Sequence, residues 1–315
     1  MIELAAIEAA RERIAGAAIR TPLVRLYADD APAEIYLKLE NLQPVNSFKI
    51  RGATSAVLLA PESERSKGLV TASAGNMAQG VAWAARALGV PATIAVPDHA
   101  PQAKLAAIER LGGRVLKLPY DDWWTAIITG RVEGVDGLFI HPVQDRAVMA
   151  GNGTIGLEIL ADLPDPDAVV IPYGGGGLTA GIASAIKALR PGTRIVTAEP
   201  ETGAALAAAM AAGQPVDVPY RASFIDGSGS RRVLDSMWPL VSPLVDLALS
   251  IPVGQVAAAV RTLAERARVI AEGAGALAPA AALSGMAGGG KVVCVVSGGN
   301  INLPTLADIL TGAAG

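Results

Sequence analysis

The chain has 315 residues, a formal net charge of −3 and a hydrophobic fraction of 51%, of which aromatic residues contribute only 4%. This length supplies enough apolar side chains for one large core or two moderate ones. The small net charge, without a dense basic run, predicts no nucleic-acid partner, and no apolar stretch reaches the roughly 20 residues that a membrane helix needs.

The N-terminal segment, residues 1–16, is amphipathic and carries acidic residues early, which is not typical of a signal peptide. Near the other end, the single cysteine, Cys294, lies inside an apolar run, so an internal disulfide is excluded and a buried structural thiol is expected. Both observations favour a reducing cytoplasm as the compartment.

Short runs rich in valine and isoleucine alternate with alanine-rich segments along most of the chain. The predicted strands are 35–40, 68–73, 92–97, 113–118, 168–173, 194–199 and 291–297, and the predicted helices are 76–88, 101–111, 152–162, 178–190, 253–269 and 302–313. Such alternation indicates parallel sheets covered on both faces. We therefore predict an α/β fold of two domains, each a mostly parallel twisted sheet flanked by helices. The large domain would comprise 1–53 and 145–315, and the small mobile domain 54–144.

Residues 46–53 read NSFKIRGA and place Lys49 directly after Phe48, where a helix is expected to begin. Lysine is common on solvated helix faces, and that is one interpretation of Lys49. A desolvated lysine is instead a nucleophile. These eight residues by themselves leave both interpretations open.

A second motif follows the predicted strand 168–173, where four consecutive glycines, Gly174 to Gly177, lead straight into a helix. Glycines let backbone N–H groups converge on an anion, and a helix N-terminus adds its free donors and positive dipole end. The pattern predicts a phosphate site. A flexible turn and a dinucleotide site are the alternatives, the latter because Gly175, Gly177 and Ala180 satisfy G-x-G-x-x-A and Glu199 ends the next strand.

Two further motifs complete an ordered set. TASAGN (71–76) ends a predicted strand and opens a helix, and VVSGGN (295–300) lies near the C-terminus. Together with NSFKIRGA and GGGGL (174–178), they resemble the fold-type II pyridoxal-phosphate enzymes, which have the tryptophan synthase β-like fold. Within these, the chain is most similar to the threonine/serine dehydratase branch, which includes serine racemase-like proteins, from about Thr21 to the C-terminus.

The resemblance implies roles for individual residues. Lys49 would form the Schiff base with pyridoxal 5'-phosphate and act as the catalytic base, and Phe48 would flank the cofactor ring. Asn76 would bind the phenolic oxygen of the ring and Ser297 its nitrogen. Phosphate and further cofactor contacts would come from Gly174, Gly175, Gly176, Gly177, Leu178 and Gly227. The substrate carboxylate would lie on Ser73, Ala74, Gly75, Asn76 and Met77.

The implied reaction is the elimination of water and ammonia from a 3-hydroxy amino acid, either threonine, serine or a bulkier analogue, by a homodimeric lyase. Racemisation and β-replacement by a pyridoxal-phosphate enzyme are alternatives. Racemases of this family carry a serine where this chain has Ala74, which disfavours the first. A nucleotide-binding oxidoreductase, resting on the glycines and Glu199, is the alternative from another class.

The sequence departs from the family pattern at several positions. Relatives usually carry histidine where this chain has Met77, and a thioether offers no proton. Many bind a cation through a glutamate, matched by Glu199, and an aspartate six residues later, where this chain has Ala205. We therefore expect no metal, with Glu199 as the one possible ligand. Trp123 and Trp124 are interpreted as packing or interface residues, and Glu272 as a carboxylate near the site.

Overall fold

The structure of the protein is a computed structural model that describes residues 1–312, so position 313 of the last predicted helix lies outside it. Ten strands form two sheets. The strands are β1 Leu23–Arg25, β2 Glu34–Leu39, β3 Leu69–Ala72, β4 Ala92–Pro97, β5 Arg114–Leu118, β6 Leu138–Phe139, β7 Ala168–Pro172, β8 Arg194–Pro200, β9 Leu247–Ile251 and β10 Lys291–Val296.

Thirteen α-helices lie in the described residues. They are α1 Leu4–Arg13, α2 Lys49–Leu59, α3 Glu62–Arg65, α4 Asn76–Leu88, α5 Gln102–Arg110, α6 Tyr120–Thr129, α7 Arg146–Asp162, α8 Gly177–Leu189, α9 Ala205–Ala212, α10 Trp238–Val241, α11 Val253–Thr262, α12 Gly273–Leu283 and α13 Leu303–Thr311. None of the helices within residues 1–312 is both long enough and apolar enough to cross a membrane.

The larger sheet has six strands in the order β1-β2-β10-β7-β8-β9. Only β1 runs antiparallel to its neighbour, β2, and the other pairs are parallel. Successive residues of a strand point to opposite faces. Accordingly, Ala168 and Val170 of β7 belong to one core, whereas Val169 and Ile171 belong to another. A sheet with a core on each face is what the near-continuous apolar strands predicted.

The smaller sheet has four parallel strands in the order β5-β4-β3-β6. Its strands lie within 69–139, while those of the larger sheet lie within 23–39 and 168–296. The α/β class with two mostly parallel sheets is therefore confirmed. The finer division at 53/54 and 144/145 stays a prediction, and its first boundary falls inside the continuous helix α2.

Several elements differ from the sequence prediction. The short strands β1 and β6 and the edge strand β9 were not predicted, because strands of two to five residues at a sheet margin carry little periodicity. Helix α7 begins at Arg146 rather than at residue 152, since the Asp145 carboxylate accepts the N–H groups of Ala147 and Val148 and caps the helix there. The predicted helix 253–269 continues beyond α11 as a π-helical turn, Leu263–Ala267.

Candidate active site

Three of the four sequence motifs follow the carboxyl ends of parallel strands. Ser73 directly follows β3, Ser297 directly follows β10, and Gly174 is separated from the end of β7 by one residue, Tyr173. In proteins with open parallel sheets, ligands bind just outside the carboxyl ends of the strands. Here the ends surround a cavity of about 340 Å³. All residues predicted to bind cofactor or substrate line it, namely Phe48, Lys49, Ser73, Ala74, Gly75, Asn76, Met77, Gly174, Gly175, Gly176, Gly177, Leu178, Gly227 and Ser297.

Lys49 is the first residue of α2, and its side chain opens onto the cavity. Its Nζ donates to the Pro142 carbonyl at 3.2 Å and lies 5.2 Å from the centre of the Phe48 ring. Burial disfavours the charged ammonium and lowers its pKa to about 8, although the Glu272 carboxylate opposes this shift. A lysine with this pKa is a far better nucleophile near neutral pH than a solvated one.

The glycine loop turns directly into α8. Gly176 has a φ of +94°, in the left-handed region that glycine adopts without strain. A Cβ on Gly175 would lie 2.5 Å from Val143 Cγ2, so a larger residue does not fit there. Within residues 1–312, no protein acceptor receives the backbone N–H groups of 174–179. Free donors at a helix N-terminus are chemically suited to an anion.

A second set of free donors lies at the start of α4. The Ser73 hydroxyl accepts the Gly75 N–H at 3.2 Å. The first intrahelical bond of α4 comes from the Gln79 N–H, so the N–H groups of 76–78 precede the hydrogen-bonding ladder. This loop therefore offers a second set of donors suited to an anion in the same cavity.

Backbone hydrogen bonds tie the lysine segment to the segment that follows β10. The Phe48 N–H donates to the Ser297 carbonyl at 3.0 Å, and the Gly299 N–H donates to the Asn46 carbonyl at 2.9 Å. This pairing holds Lys49 and Ser297, which are separated by 248 positions in the numbering, on one wall of the cavity.

Glu272 lies in the same cavity and is almost fully buried. Its Oε1 accepts a hydrogen bond from Asn76 Nδ2 at 2.7 Å, and Asn76 Oδ1 accepts one from Asn300 Nδ2 at 2.8 Å. Asn300 Nδ2 also donates to the Val45 carbonyl, which fixes the orientation of both amides. Burial raises the pKa of Glu272 to about 7, and the Asn76 hydrogen bond opposes that rise. Within residues 1–312, only one of the two N–H bonds of the Asn76 amide has a protein acceptor.

Sequence reasoning missed several residues that line the cavity. Trp123 of α6 lines it, although it was interpreted as a packing residue, while Trp124 is exposed. Lys104 of α5 also lines it and forms an ion pair at 2.6 Å with Asp226, the residue before Gly227. Pro97 also lines the cavity, and its position at the end of a predicted strand could have identified it from the sequence. No local sequence pattern marks Lys104 or Trp123.

Glu199 is fully buried and does not reach the cavity. Its two carboxylate oxygens accept the N–H groups of Leu206 and Ala207, at 2.9 and 2.8 Å, in the first turn of α9. This geometry leaves no carboxylate oxygen directed to a ribose and argues against the dinucleotide interpretation. In the described part of the chain, no group of three or more histidine, cysteine, aspartate or glutamate side chains is placed to hold a metal ion.

Comparison with known proteins gives a consistent result. Residues 14–298 match the family described as pyridoxal-phosphate dependent enzymes. An L-threonine ammonia-lyase of Thermotoga maritima is 40% identical over 309 residues, which is 96% of this chain and 77% of that protein. Maize serine racemase superposes with a TM-score of 0.87 at 33% identity, covering 99% and 97% of the two chains. The processed form of a threonine deaminase from Solanum lycopersicum superposes with a TM-score of 0.87 at 32% identity, and the match covers 99% of this chain and 92% of that one.

Proposed function

Because the chain belongs to the pyridoxal-phosphate dependent enzymes, we propose that it eliminates water and ammonia from a 3-hydroxy amino acid of the threonine and serine type. The observation that carries the proposal is the position of the Lys49 amine. It opens onto a cavity with two separate sets of free backbone donors, one at the glycine loop and one at the start of α4. A phosphorylated aldehyde cofactor and an amino acid each bring one anionic group to such a site.

The residues of the cavity fit this cofactor. The loop Gly174–Gly177 offers unpaired N–H groups, with no Cβ atoms in the way, to a phosphate. Lys49 would hold the aldehyde carbon through its amine, and Asn76 and Ser297 would contact the ring. Pyridoxal phosphate, when bound, supplies an electron sink for bonds that break at the α-carbon of an attached amino acid.

The chain itself would bind and orient the substrate. The N–H groups at the start of α4 and the Ser73 hydroxyl would hold the carboxylate, which fixes the α-carbon near Lys49. The neutral amine of Lys49 would then remove the α-proton as the general base, for which its lowered pKa suits it. The ion pair between Lys104 and Asp226, which joins α5 to the loop before Gly227, would help to keep water out.

Two further observations favour elimination over racemisation. Ala74 lines the cavity and has no group that can return a proton to the α-carbon from the side opposite Lys49. Two relatives, at 40% and 37% identity, are named L-threonine ammonia-lyase, and a third, at 38% identity, is named a putative threonine dehydratase. A homodimer in the cytoplasm and a mobile small domain stay predictions. The free and fully buried Cys294 is compatible with a reducing compartment.

The test is to record the visible absorption spectrum of the purified protein while L-serine, L-threonine and larger 3-hydroxy amino acids are added singly. We expect an absorption band that shifts with substrate, together with 2-oxo acid and ammonia in equal amounts. Accumulation of the opposite enantiomer without 2-oxo acid would contradict elimination and favour racemisation. No band after addition of pyridoxal phosphate would contradict the role of Lys49.

The lowered pKa of Lys49 predicts how cofactor attachment depends on pH. Only the neutral amine attacks an aldehyde, and with a pKa of about 8 the neutral fraction of Lys49 grows as pH rises through that value. The attachment rate of cofactor-free protein should rise roughly fivefold from pH 7 to pH 8 and level off above about pH 9. Stopped-flow absorbance measures this rate.

The Glu272→Gln variant serves as the matched comparison for this pH profile. The Glu272 carboxylate raises the pKa of Lys49, so its removal should move the midpoint to lower pH. A midpoint near the pKa of an ordinary lysine, about 10.4, in the parent protein would show that Lys49 is solvated.

A further inference from the structure

The segment 141–145, between β6 and α7, contacts both the reactive amine and the glycine loop. The Pro142 carbonyl accepts the hydrogen bond of Lys49 Nζ at 3.2 Å. The Val143 backbone lies against the glycine loop, since its carbonyl oxygen would be only 3.0 Å from a Cβ on Gly177. The conformation of this segment therefore sets how the lysine amine and the glycine loop lie relative to each other.

The His141 side chain holds the segment in this conformation. Its Nδ1 accepts the N–H groups of Val143 and Gln144, at 3.0 and 2.9 Å. A ring nitrogen that accepts hydrogen bonds carries no proton, so the proton of the neutral imidazole lies on Nε2. Nε2 in turn donates to the Ile127 carbonyl of α6 at 3.0 Å. All three contacts therefore belong to one form of the ring, the neutral Nε2–H tautomer.

A protonated His141 cannot keep this turn together. The imidazolium ion carries a proton on both ring nitrogens and accepts no hydrogen bond. The N–H groups of Val143 and Gln144 would then lose their acceptor and face a third donor. Because Pro142 and Val143 lie within this turn, its opening would move the carbonyl that Lys49 contacts and the backbone that supports the glycine loop.

The surroundings of His141 favour the neutral ring. Burial lowers the pKa of His141, and the hydrogen bond to Ile127 opposes that shift. The charged groups that face the ring, within residues 1–312, are Asp145 of the same segment, which raises the pKa, and Lys49 of α2, which lowers it. From β6, the uncharged Phe139 ring lies with its centre 6.2 Å away. We therefore expect His141 to take up its proton only below about pH 6.5, the ordinary value for histidine.

We propose that His141 is a positioning residue whose neutral ring maintains the cofactor site, so that its protonation weakens the binding of pyridoxal phosphate. His141 does not line the cavity and acts through Pro142 and Val143. This inference rests on the proposed roles of Lys49 and the glycine loop. Since two backbone donors lose their acceptor, the dissociation constant of the cofactor should rise about 10- to 100-fold on protonation.

Three variants separate the hydrogen bonds of His141 from its charge. In His141→Asn, the amide oxygen can accept the N–H groups two and three positions later, as asparagine does in turns and helix caps, and it does not titrate. His141→Leu fills the space without an acceptor. His99→Asn is the matched control, because His99 is the other of the two histidines and is exposed.

Equilibrium dialysis of each holoenzyme between pH 7.5 and pH 5 gives the dissociation constant of pyridoxal phosphate. The phosphate itself titrates near pH 6, but this contribution is the same in every variant. As pH falls, the constant should rise at least about tenfold more in the parent and in His99→Asn than in His141→Asn. At pH 7.5 it should be raised in His141→Leu and near the parent value in His141→Asn. Identical pH profiles in parent and His141→Asn, or parent-like binding by His141→Leu, overturn the inference.

Nitrogen NMR of the imidazole tests the tautomer without any turnover. His99→Asn leaves His141 as the single histidine, so its ring signals need no further assignment. We expect a bare Nδ1 and a protonated Nε2 at pH 7.5 in the holoenzyme, with titration below about pH 6.5. A proton on Nδ1 at pH 7.5 contradicts the inference, whether or not His141→Leu folds.

The outcomes for His141 and for the proposed function are distinguishable. If dialysis and NMR give the expected results while no 3-hydroxy amino acid is consumed, the proposed function fails and His141 keeps its role. If 2-oxo acid forms while His141→Leu binds the cofactor as the parent does, the elimination reaction stands and the role of His141 is overturned.

Discussion

The Lys49→Ala variant is expected to lose covalent attachment of pyridoxal phosphate and at least about 10²- to 10⁴-fold in turnover, the usual contribution of a positioned general base. Lys49 is the lysine at the first turn of α2, with its amine at the cavity wall and its pKa lowered to about 8. Alanine removes the nucleophile and the base together. The measurements are the absorption spectrum after removal of free cofactor and the rate of 2-oxo acid formation.

Two further variants show which property of Lys49 matters. Lys49→Arg keeps the positive charge without a neutral amine, so we expect it to lose attachment as Lys49→Ala does. Lys104→Ala removes the other lysine that lines the cavity, and it should keep the absorption band. Normal turnover by Lys49→Ala would be incompatible with the proposed mechanism.

Arg51→Met is expected to lower the free energy of unfolding by about 3–5 kcal/mol, because it leaves the buried Glu40 carboxylate without its charged partner. Arg51 is almost fully buried one half-turn after Lys49 on α2. Its Nε and Nη2 donate to the two oxygens of Glu40 at 2.8 and 2.9 Å, and its Nη1 donates to Glu158 at 2.7 Å. Lys38 donates to Glu158 as well, at 2.5 Å.

Arg51, Glu40, Glu158 and Lys38 form a buried charge cluster, in which the charge of each group affects the pKa of the others. Burial by itself raises the pKa of Glu40, but the Arg51 guanidinium outweighs that effect and holds the pKa below its ordinary value. Without Arg51, the fully buried Glu40 either remains charged without its bidentate partner or takes up a proton. Both outcomes favour the unfolded chain, in which the carboxylate is hydrated.

Thermal and urea unfolding of the cofactor-free protein measure the effect, for which we expect a decrease in Tm of roughly 10 °C. Arg232→Met is the control, since its ion pair with Asp235 is exposed and such pairs contribute about 0–1 kcal/mol. The double variant Arg51→Met with Glu40→Leu should be less destabilised than Arg51→Met, because it removes the unpaired charge. A change below about 1 kcal/mol in Arg51→Met would show that the cluster is solvated.

The sequence carried enough information to predict the architecture. Apolar runs with turn residues at their ends located β2, β3, β4, β7, β8 and β10, because a strand that is buried on both faces of a parallel sheet is composed mainly of apolar residues. The edge strand β5 is only partly buried and was located by its short run RVLKL. The four motifs were found for a similar reason. Each joins a strand end or a loop to a helix start within a few residues, and these groups all line one cavity, although their individual roles stay predictions.

The sequence did not predict contacts between distant segments. Asn76 and Glu272, which share a hydrogen bond at 2.7 Å, lie 196 positions apart. Lys104 and Asp226 lie 122 positions apart. Arg51 looks like an ordinary helix arginine in the motif NSFKIRGA, yet it is buried among carboxylates from β2's end and from α7. Trp123 and Trp124 are adjacent and chemically identical, but only one of them lines the cavity.

The sequence by itself therefore determined the α/β class, the two mostly parallel sheets and the four motifs whose residues line one cavity. These properties follow from local periodicity, glycine geometry and helix ends. Only the tertiary structure decided which charges are buried as partners, that Glu199 caps α9, and that Trp123 borders the cavity. Those outcomes depend on how separately formed helices and sheets pack together, and the free energy of such packing is shared among residues that no local pattern connects.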